Sequence, residues 1–269
     1  MKAQYKAMIL DTMLKEVRSK TLIFIFVATT IAIILGHVGI KLVMSQLGGG
    51  EVTFSGINAL SLNFRILNSI SFVVAAVFGV SVFRSDFQNN IIYQYLSFPI
   101  SRTEYFFIRV IGTWFLVLAY YIYSYVLSSV LFSMAFKKII FTPAHFFSFL
   151  VLCLYLLIVI FIATLFSLMM NKIGALFITF ATSLAAAAAF TTFSTIPYNE
   201  FFQNMSSLRI VGLFFYYFFP RITFLGNFSS SLLAGELSGL VIWEQCLHLS
   251  VISALYIFIA NYLVKRKNF

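Results

Sequence analysis

Few side chains in this sequence could do chemistry, and most of them crowd into one stretch, Arg84 to Arg109, reading RSDFQNNIIYQYLSFPISRTEYFFIR. It lies between two long apolar runs and brings charge, amides, a proline and a helix-start signal together. Within Phe98-Pro99-Ile100-Ser101-Arg102-Thr103-Glu104, Pro99 pushes Phe98 away from helical geometry and so ends any helix before it. Ser101, with Glu104 three residues on, makes a capping box that starts the next helix. The pattern predicts a short amphipathic helix over about 87–97, a stop, and a new helix running into the next apolar segment. A short helix lying across the ends of two membrane spans is a lever on which a partner can push.

Elsewhere the spacing argues against several chemistries. His37, His145 and His248 are separated by whole apolar runs, with no His-x-x-x-His or Glu-x-x-His pairing, which speaks against a metal-centred hydrolase. No Gly-x-x-x-x-Gly-Lys-Ser/Thr phosphate loop occurs, so ATP is not expected to bind here by that route. The 8 acidic residues all fall at or outside the ends of the apolar runs. An ion-coupled carrier places an ionisable group near the bilayer midplane, and an intramembrane aspartyl or glutamyl protease needs carboxylates there. The chain is therefore not expected to be an enzyme, and any ATP-driven step has to borrow its ATPase from another polypeptide.

The elements that must position these residues are membrane helices. The composition is 61% hydrophobic, 19% aromatic and 10% charged, far from that of a soluble domain. Several nearly uncharged apolar runs exceed the ~18 residues that mark a transmembrane helix. No signal peptide is expected, because the first run is span-length and no small-x-small cleavage site follows it. Cys153 and Cys246 lie in separate runs and read as buried small hydrophobes, not as a disulfide or metal pair.

The fold expected is all-α, with six spans at about 22–44, 59–83, 105–135, 144–170, 173–195 and 241–264. Residues 1–20 carry five cations among apolar residues at helical spacing and read either as an interfacial helix or as a basic flank that orients span 1. Arg65 stands 19 residues before Arg84, roughly 28 Å along a helix, which puts it near the opposite interface and reads as a structural anchor ahead of a substrate contact. Tyr120, Tyr121, Tyr123 and Tyr125 suit a pathway lining, though packed rings explain them more simply. Thr142-Pro143 reads as a cap and first-turn proline, and Asn171-Lys172 as a minimal turn. Ala185 to Ala189 would let neighbouring helices approach closely.

Residues 196–240 form the longest segment between spans. Its apolar run Ile210 to Phe219, stopped by Pro220, is too short to cross a bilayer and reads as a re-entrant or interfacial segment. Twelve of the 18 Lys and Arg residues lie on the side of both termini and of Arg84–Arg109. That excess puts this side in the cytoplasm. The basic residues flank apolar runs, so the net charge of +10 does not argue for nucleic acid.

Leu96-Ser97-Phe98-Pro99-Ile100-Ser101-Arg102, led by Asp86 and placed between spans two and three, resembles the cytoplasmic signature of ABC-2-type transporter permeases. Asn90 and Ile91 stand where that family has Gly-Thr, and Tyr95 where it has an aliphatic residue. The resemblance implies a single permease domain over 1–269 that dimerises with itself or a sister permease. It implies two copies of a cytoplasmic ATPase subunit, with ATP and Mg on that subunit and no cofactor on this chain. Asp86, Pro99, Ile100, Ser101, Arg102 and Glu104, within a coupling region at 84–104, are then the expected ATPase contacts, with Ser101 and Glu104 doubling as a cap. An elbow helix at 1–20 and an outer gate formed by Phe214, Phe215, Tyr216, Tyr217, Phe218, Phe219, Pro220 and Arg221 are also implied. So is a multi-pass location in the cell's inner (cytoplasmic) membrane, with lipid as the surrounding partner. A non-transporting mechanotransmitter or assembly component is a second reading, and a membrane enzyme or scaffold a third.

Overall fold

A computed structural model describes residues 2–18, 20–47, 56–88, 100–136, 142–197, 201, 206–234 and 242–266. The described chain consists of helices α1 (Lys2–Val17), α2 (Lys20–Leu47), α3 (Gly56–Gln88), α4 (Arg102–Phe136), α5 (Pro143–Met169), α6 (Lys172–Phe193), α7 (Ser207–Phe218), α8 (Ile222–Ala234) and α9 (Ile242–Arg266), without a strand among the described residues. Helices α2, α3, α4, α5, α6 and α9 are each long and apolar enough to cross a membrane. In lipid the backbone has no water to bond, and a helix satisfies every interior N–H and C=O within itself. The protein is a polytopic all-α membrane protein. At ~1.5 Å rise per residue, the 33 residues of α3 and the 35 of α4 outrun a hydrocarbon core of ~30 Å.

The six expected spans all form, with ends displaced by a few residues. The largest difference lies after span two. Phe87 and Gln88, assigned to a separate short helix from the sequence, continue α3, because no proline or glycine between Arg84 and Gln88 breaks the helical run. The remainder of that predicted helix lies outside the described residues. A second difference is α8, which the sequence reading left without structure. Its run Ile222–Ala234 mixes Gly226, Asn227 and three serines with apolar residues, which masks its helical period.

Two compact units divide the chain, and several helices contribute to both. The first comprises Met1–Ala75, Ile111–Leu156 and Gly226–Ser238. Its interior is polar as well as aromatic. Phe64 packs on the rings of Tyr125 and His145, and Tyr121 stacks on Phe149. Tyr120 donates to Thr29 Oγ1 at 2.7 Å and Tyr125 to the His145 carbonyl at 2.9 Å. Asn63 donates to Ser128 Oγ at 2.6 Å, and Ser148 bonds Ser229 at 2.6 Å. Tyr120, Tyr121 and Tyr125 are thus buried packing elements whose hydroxyls tie helices together, while Tyr123 is exposed. In α1, Met8 and Thr12 turn inward and Leu10, Leu14 and Val17 outward. A Cβ on Gly112 of α4 would come within 2.9 Å of Thr12, so glycine is what allows α1 to dock there.

The second unit comprises Ala76–Val110, Leu157–Leu225 and Gly239–Phe269. Val80, Ala163 and Ala175 form a fully buried centre, covered by Phe166 and Leu176. Here α3 and α5 touch through Gly79. A Cβ on it would lie 2.9 Å from Ala163 Cβ and 3.0 Å from the Ile160 carbonyl. Thr164 Oγ1 shares its proton between the Ile160 and Gly79 carbonyls, at 2.6 and 3.0 Å. Small residues that let backbones meet are the usual basis of helix packing in lipid.

The cysteines are free, and Cys246 is exposed on α9 where burial was expected, while Cys153 is half-buried. An apolar run fixes that a helix forms in lipid but leaves open which of its faces is covered.

Candidate functional site

The first candidate is the start of α4. Ser101 and Glu104 form the expected capping box in full. Ser101 donates from its backbone N–H and from its hydroxyl to Glu104 Oε2, each at 2.8 Å. The Glu104 N–H returns a bond to Ser101 Oγ at 3.2 Å. One carboxylate oxygen is thereby held by the cap, which satisfies donors that a helix start leaves open. Ile100 is half-buried ahead of the helix, and Arg102 is half-buried at its first position. Pro99 lies outside the described residues. Asp86 lies in the last turn of α3, where the side chain is outside the description.

Beyond the cap, the first turns of α4 are bolted inward. Arg109 is only 1% exposed, with its guanidinium over the Tyr105 ring at 5.5 Å and Nε donating to the Tyr105 hydroxyl at 3.4 Å. The spacing i, i+4 puts both on one face. Phe83 of α3 meets Tyr105 edge-on and stacks on Phe106 at 5.3 Å. Phe106 in turn meets Phe161 of α5. On another side, Thr103 donates to Asn261 Oδ1 of α9 at 2.9 Å. The opening of α4 is therefore joined to α3, α5 and α9 within one unit. Sequence reasoning placed Arg109 only as a flanking charge and missed its burial. The Tyr105–Arg109 spacing was the available signal.

The second candidate is the elbow between α7 and α8, which bend by 69° at their break. Ser206 caps α7 by accepting from the Arg209 N–H. At the other end Phe219 is extended, φ −107° and ψ 143°, as a residue before proline prefers. Pro220 offers no N–H to continue the ladder, so the expected stop forms where the sequence put it. Two turn bonds, Ile222 N–H to the Pro220 carbonyl and Phe224 N–H to the Arg221 carbonyl, then start α8.

The aromatic run does not act as one surface. Phe214 and Phe218 are exposed and stack on each other at 5.3 Å. Tyr216 and Phe219 are buried, against Phe193 and Phe201 for the first and Tyr256 for the second. Phe215 is half-buried, Tyr217 exposed and Pro220 buried. Arg221, 7% exposed, folds back across the proline. Its guanidinium sits 3.8 Å from the Tyr216 ring centroid, Nε donates to the Tyr216 carbonyl, and Nη1 donates to Gln245 Oε1 at 2.9 Å. His248 Nε2 lies 3.0 Å from the Tyr217 carbonyl, and because a carbonyl only accepts, that nitrogen carries the proton. Two nitrogen donors thus close the last carbonyls of α7, where the helix dipole favours positive charge. Both bonds beyond α7 reach α9. The sequence reading named Arg221 as part of a gate but gave no sign of this latch, which depends on residues 24 and 27 positions away.

Alongside α7, the end of α6 borders an open groove of about 450 Å³. Ala185, Ala188 and Ala189 line it from α6, and Arg209, Gly212 and Phe215 from α7. The alanine run was expected to draw helices together. Ala186 and Ala189 are buried, the small side chains at Ala185 and Ala188 leave the groove open beside them, and a tight contact falls at Gly212, where a Cβ would come within 2.9 Å of the Phe193 ring.

A scan against protein-family models finds no match to this chain, and a search of curated proteins finds none either.

Proposed function

We propose that the chain is the permease subunit of an ATP-driven transporter, an exporter, working as a dimer with two copies of a separate cytoplasmic ATPase subunit. The observation that carries this reading is the double attachment of α9. Near one end Asn261 holds the capped start of α4 through Thr103, and near the other Gln245 and His248 hold the α7–α8 elbow. From Asn261 to Gln245 is roughly 24 Å along the helix, most of a hydrocarbon core. A push on the start of α4 therefore has a rigid element through which to reach the elbow.

Within this reading the residues divide by role. Ser101 and Glu104 keep α4 wound to its first residue. Arg102 is the principal ATPase contact, with Asp86, Pro99 and Ile100 as further contacts. The termini and 84–104 face the cytoplasm from the cell's inner membrane, and Phe214–Arg221 gates the opposite side. Hydrolysis belongs to the partner, which binds ATP and Mg; this chain supplies motion and a path between permeases, not a catalytic step. The same rod would serve a mechanotransmitter that relays ATPase motion to a partner across the membrane, and the α9 attachments favour that second reading equally. A path between two permease copies separates the two: export of a substrate by the reconstituted complex supports the first, and ATP-driven motion without export supports the second.

The test of coupling is affinity purification of the tagged chain from native membranes. Wild type is expected to bring down an ATPase subunit and Arg102→Glu to lose it. Glu104→Gln, which weakens the cap without reversing charge, is expected to keep it. An ATPase absent with wild type overturns the reading.

A further inference from the structure

We propose that the face of α3 carrying Arg65 and Asn68 holds the phosphate of an anionic phospholipid, in the leaflet on the side away from Arg84. The proposal does not depend on ATPase coupling. Arg65 lies near the start of the apolar window Asn63–Phe83 of α3 and is exposed. Arg109 and Arg221 are buried and bonded to rings and oxygens of the chain. The Arg65 guanidinium has no such partner among the described residues. Its five N–H groups need acceptors, and hydrocarbon supplies none. At roughly 28 Å from Arg84 along the helix, in a core of about 30 Å, the acceptors within reach are those of the headgroup layer.

The neighbours of Arg65 make this face a set of donors. Residues 65, 68, 69, 72 and 73 recur at helical spacing and share one side of α3. The Ser69 hydroxyl gives its proton to the Arg65 carbonyl at 2.9 Å. Asn68 Oδ1 accepts from the Tyr121 hydroxyl at 3.5 Å. That leaves Asn68 Nδ2, which has no bond among the described residues, as a second donor group one turn from Arg65. The one acidic residue of α3, Asp86, stands at the far end of the helix. A guanidinium beside an amide N–H fits a phosphate, which accepts from both nitrogens of the arginine fork. Further along the same side the face turns apolar, with Val73 exposed and the Phe72 ring against Tyr155 of α5. Donors at the end of the span and hydrocarbon contacts inward follow the order of a phospholipid's phosphate and acyl chain. A choline head would bring its own cation toward Arg65, so a lipid with a net negative charge is preferred.

The test places a photoreactive benzophenone side chain at Val73 of the full-length chain, in vesicles of equal parts phosphatidylglycerol and phosphatidylcholine, each separately labelled. A second probe at Leu154, exposed on α5, a helix without Lys or Arg, reports the bulk lipid. With Arg65 in place, the probe at Val73 is expected to capture phosphatidylglycerol over phosphatidylcholine about tenfold, as one charge-assisted contact supplies, and the probe at Leu154 to capture both alike. Arg65→Gln should bring the Val73 ratio down to that at Leu154, and Asn68→Leu should lower it part of the way. Should Arg65→Gln fail to fold, Arg65→Lys, which keeps the charge and loses the fork, is read instead and should lower the ratio. Equal ratios at the two probes overturn the proposal. So does a ratio that survives Arg65→Gln, or capture of a second copy of the chain at Val73 in place of lipid. Loss of the ratio in inorganic phosphate, but not in chloride of equal ionic strength, would assign the donors to a soluble anion and overturn it too.

Discussion

The start of α4 and the α7–α8 elbow use the same pair of residue types at a helix end and put them to opposite use. At the start of α4, Arg109 lies over Tyr105 in the same helix, one turn apart, and the pair thickens the joint between α4 and its neighbours. At the elbow, Arg221 lies beyond a proline break, returns over Tyr216, and closes the end of the helix that the proline cut. The first arginine extends a helix sideways. The second turns a helix end into a hinge with a latch. Stiffness at one region and a fastened bend at the other are what a lever and its far end require, and α9 touches both.

Removing the latch should have the largest effect on stability. Arg221→Ala loses charged hydrogen bonds to the Tyr216 carbonyl and Gln245 and the stacking on Tyr216. Together these are worth about 3 kcal/mol, read as a loss of unfolding free energy in detergent. Arg109→Met, which keeps the side-chain length, should cost less, because its hydrogen bond is longer and its ring contact more distant. If Arg109→Met proved the more damaging, the contrast between latch and joint would fail.

Overpacking the α3–α5 contact comes next. Gly79→Leu drives a side chain into Ala163 and the Ile160 carbonyl, and overpacking of this kind costs about 2 kcal/mol. Thermal unfolding reads it, and Ala163→Gly in the same chain should restore part of the loss. Caps give the smallest change. Ser101→Ala removes one hydroxyl from the box at α4, and Asn171→Ala removes the oxygen that accepts from the Gly174 N–H at 2.7 Å. Each should cost about 1 kcal/mol, and a loss in the double variant that departs from the sum of the two would show that the two starts are not independent.

How much of this could be read from sequence depends on the range of the cause. The capping box, the proline stop at Pro220 and the Pro143 start were legible, because each is decided by residues within four positions, whereas Asn171 read only as a turn and is in fact the cap of α6. The six spans were legible because backbone hydrogen bonding in lipid leaves a long apolar run no other form. The burial of Arg109 was not, since the Tyr105 ring under its guanidinium belongs to an aromatic joint completed by Phe83 and Phe161 on other helices. Nor was the latch, whose acceptor on Gln245 is 24 residues from Arg221. The alanine run was legible only in part: Ala186 and Ala189 are buried, Ala185 and Ala188 border the groove, and which of the two a small side chain gives depends on Gly212 and its neighbours on another helix. Helix α8 escaped because its serines and glycine hide the helical period.

On the proposed function the start of α4 receives the push of an ATPase, with Arg102 as the contact and the cap as its support. The most direct measurement compares ATPase recovery with the tagged chain from native membranes for wild type, Arg102→Glu and Glu104→Gln, each at matched thermal stability. Recovery with wild type and Glu104→Gln but not with Arg102→Glu is the predicted result. Equal recovery in all three, or none with wild type, would contradict it.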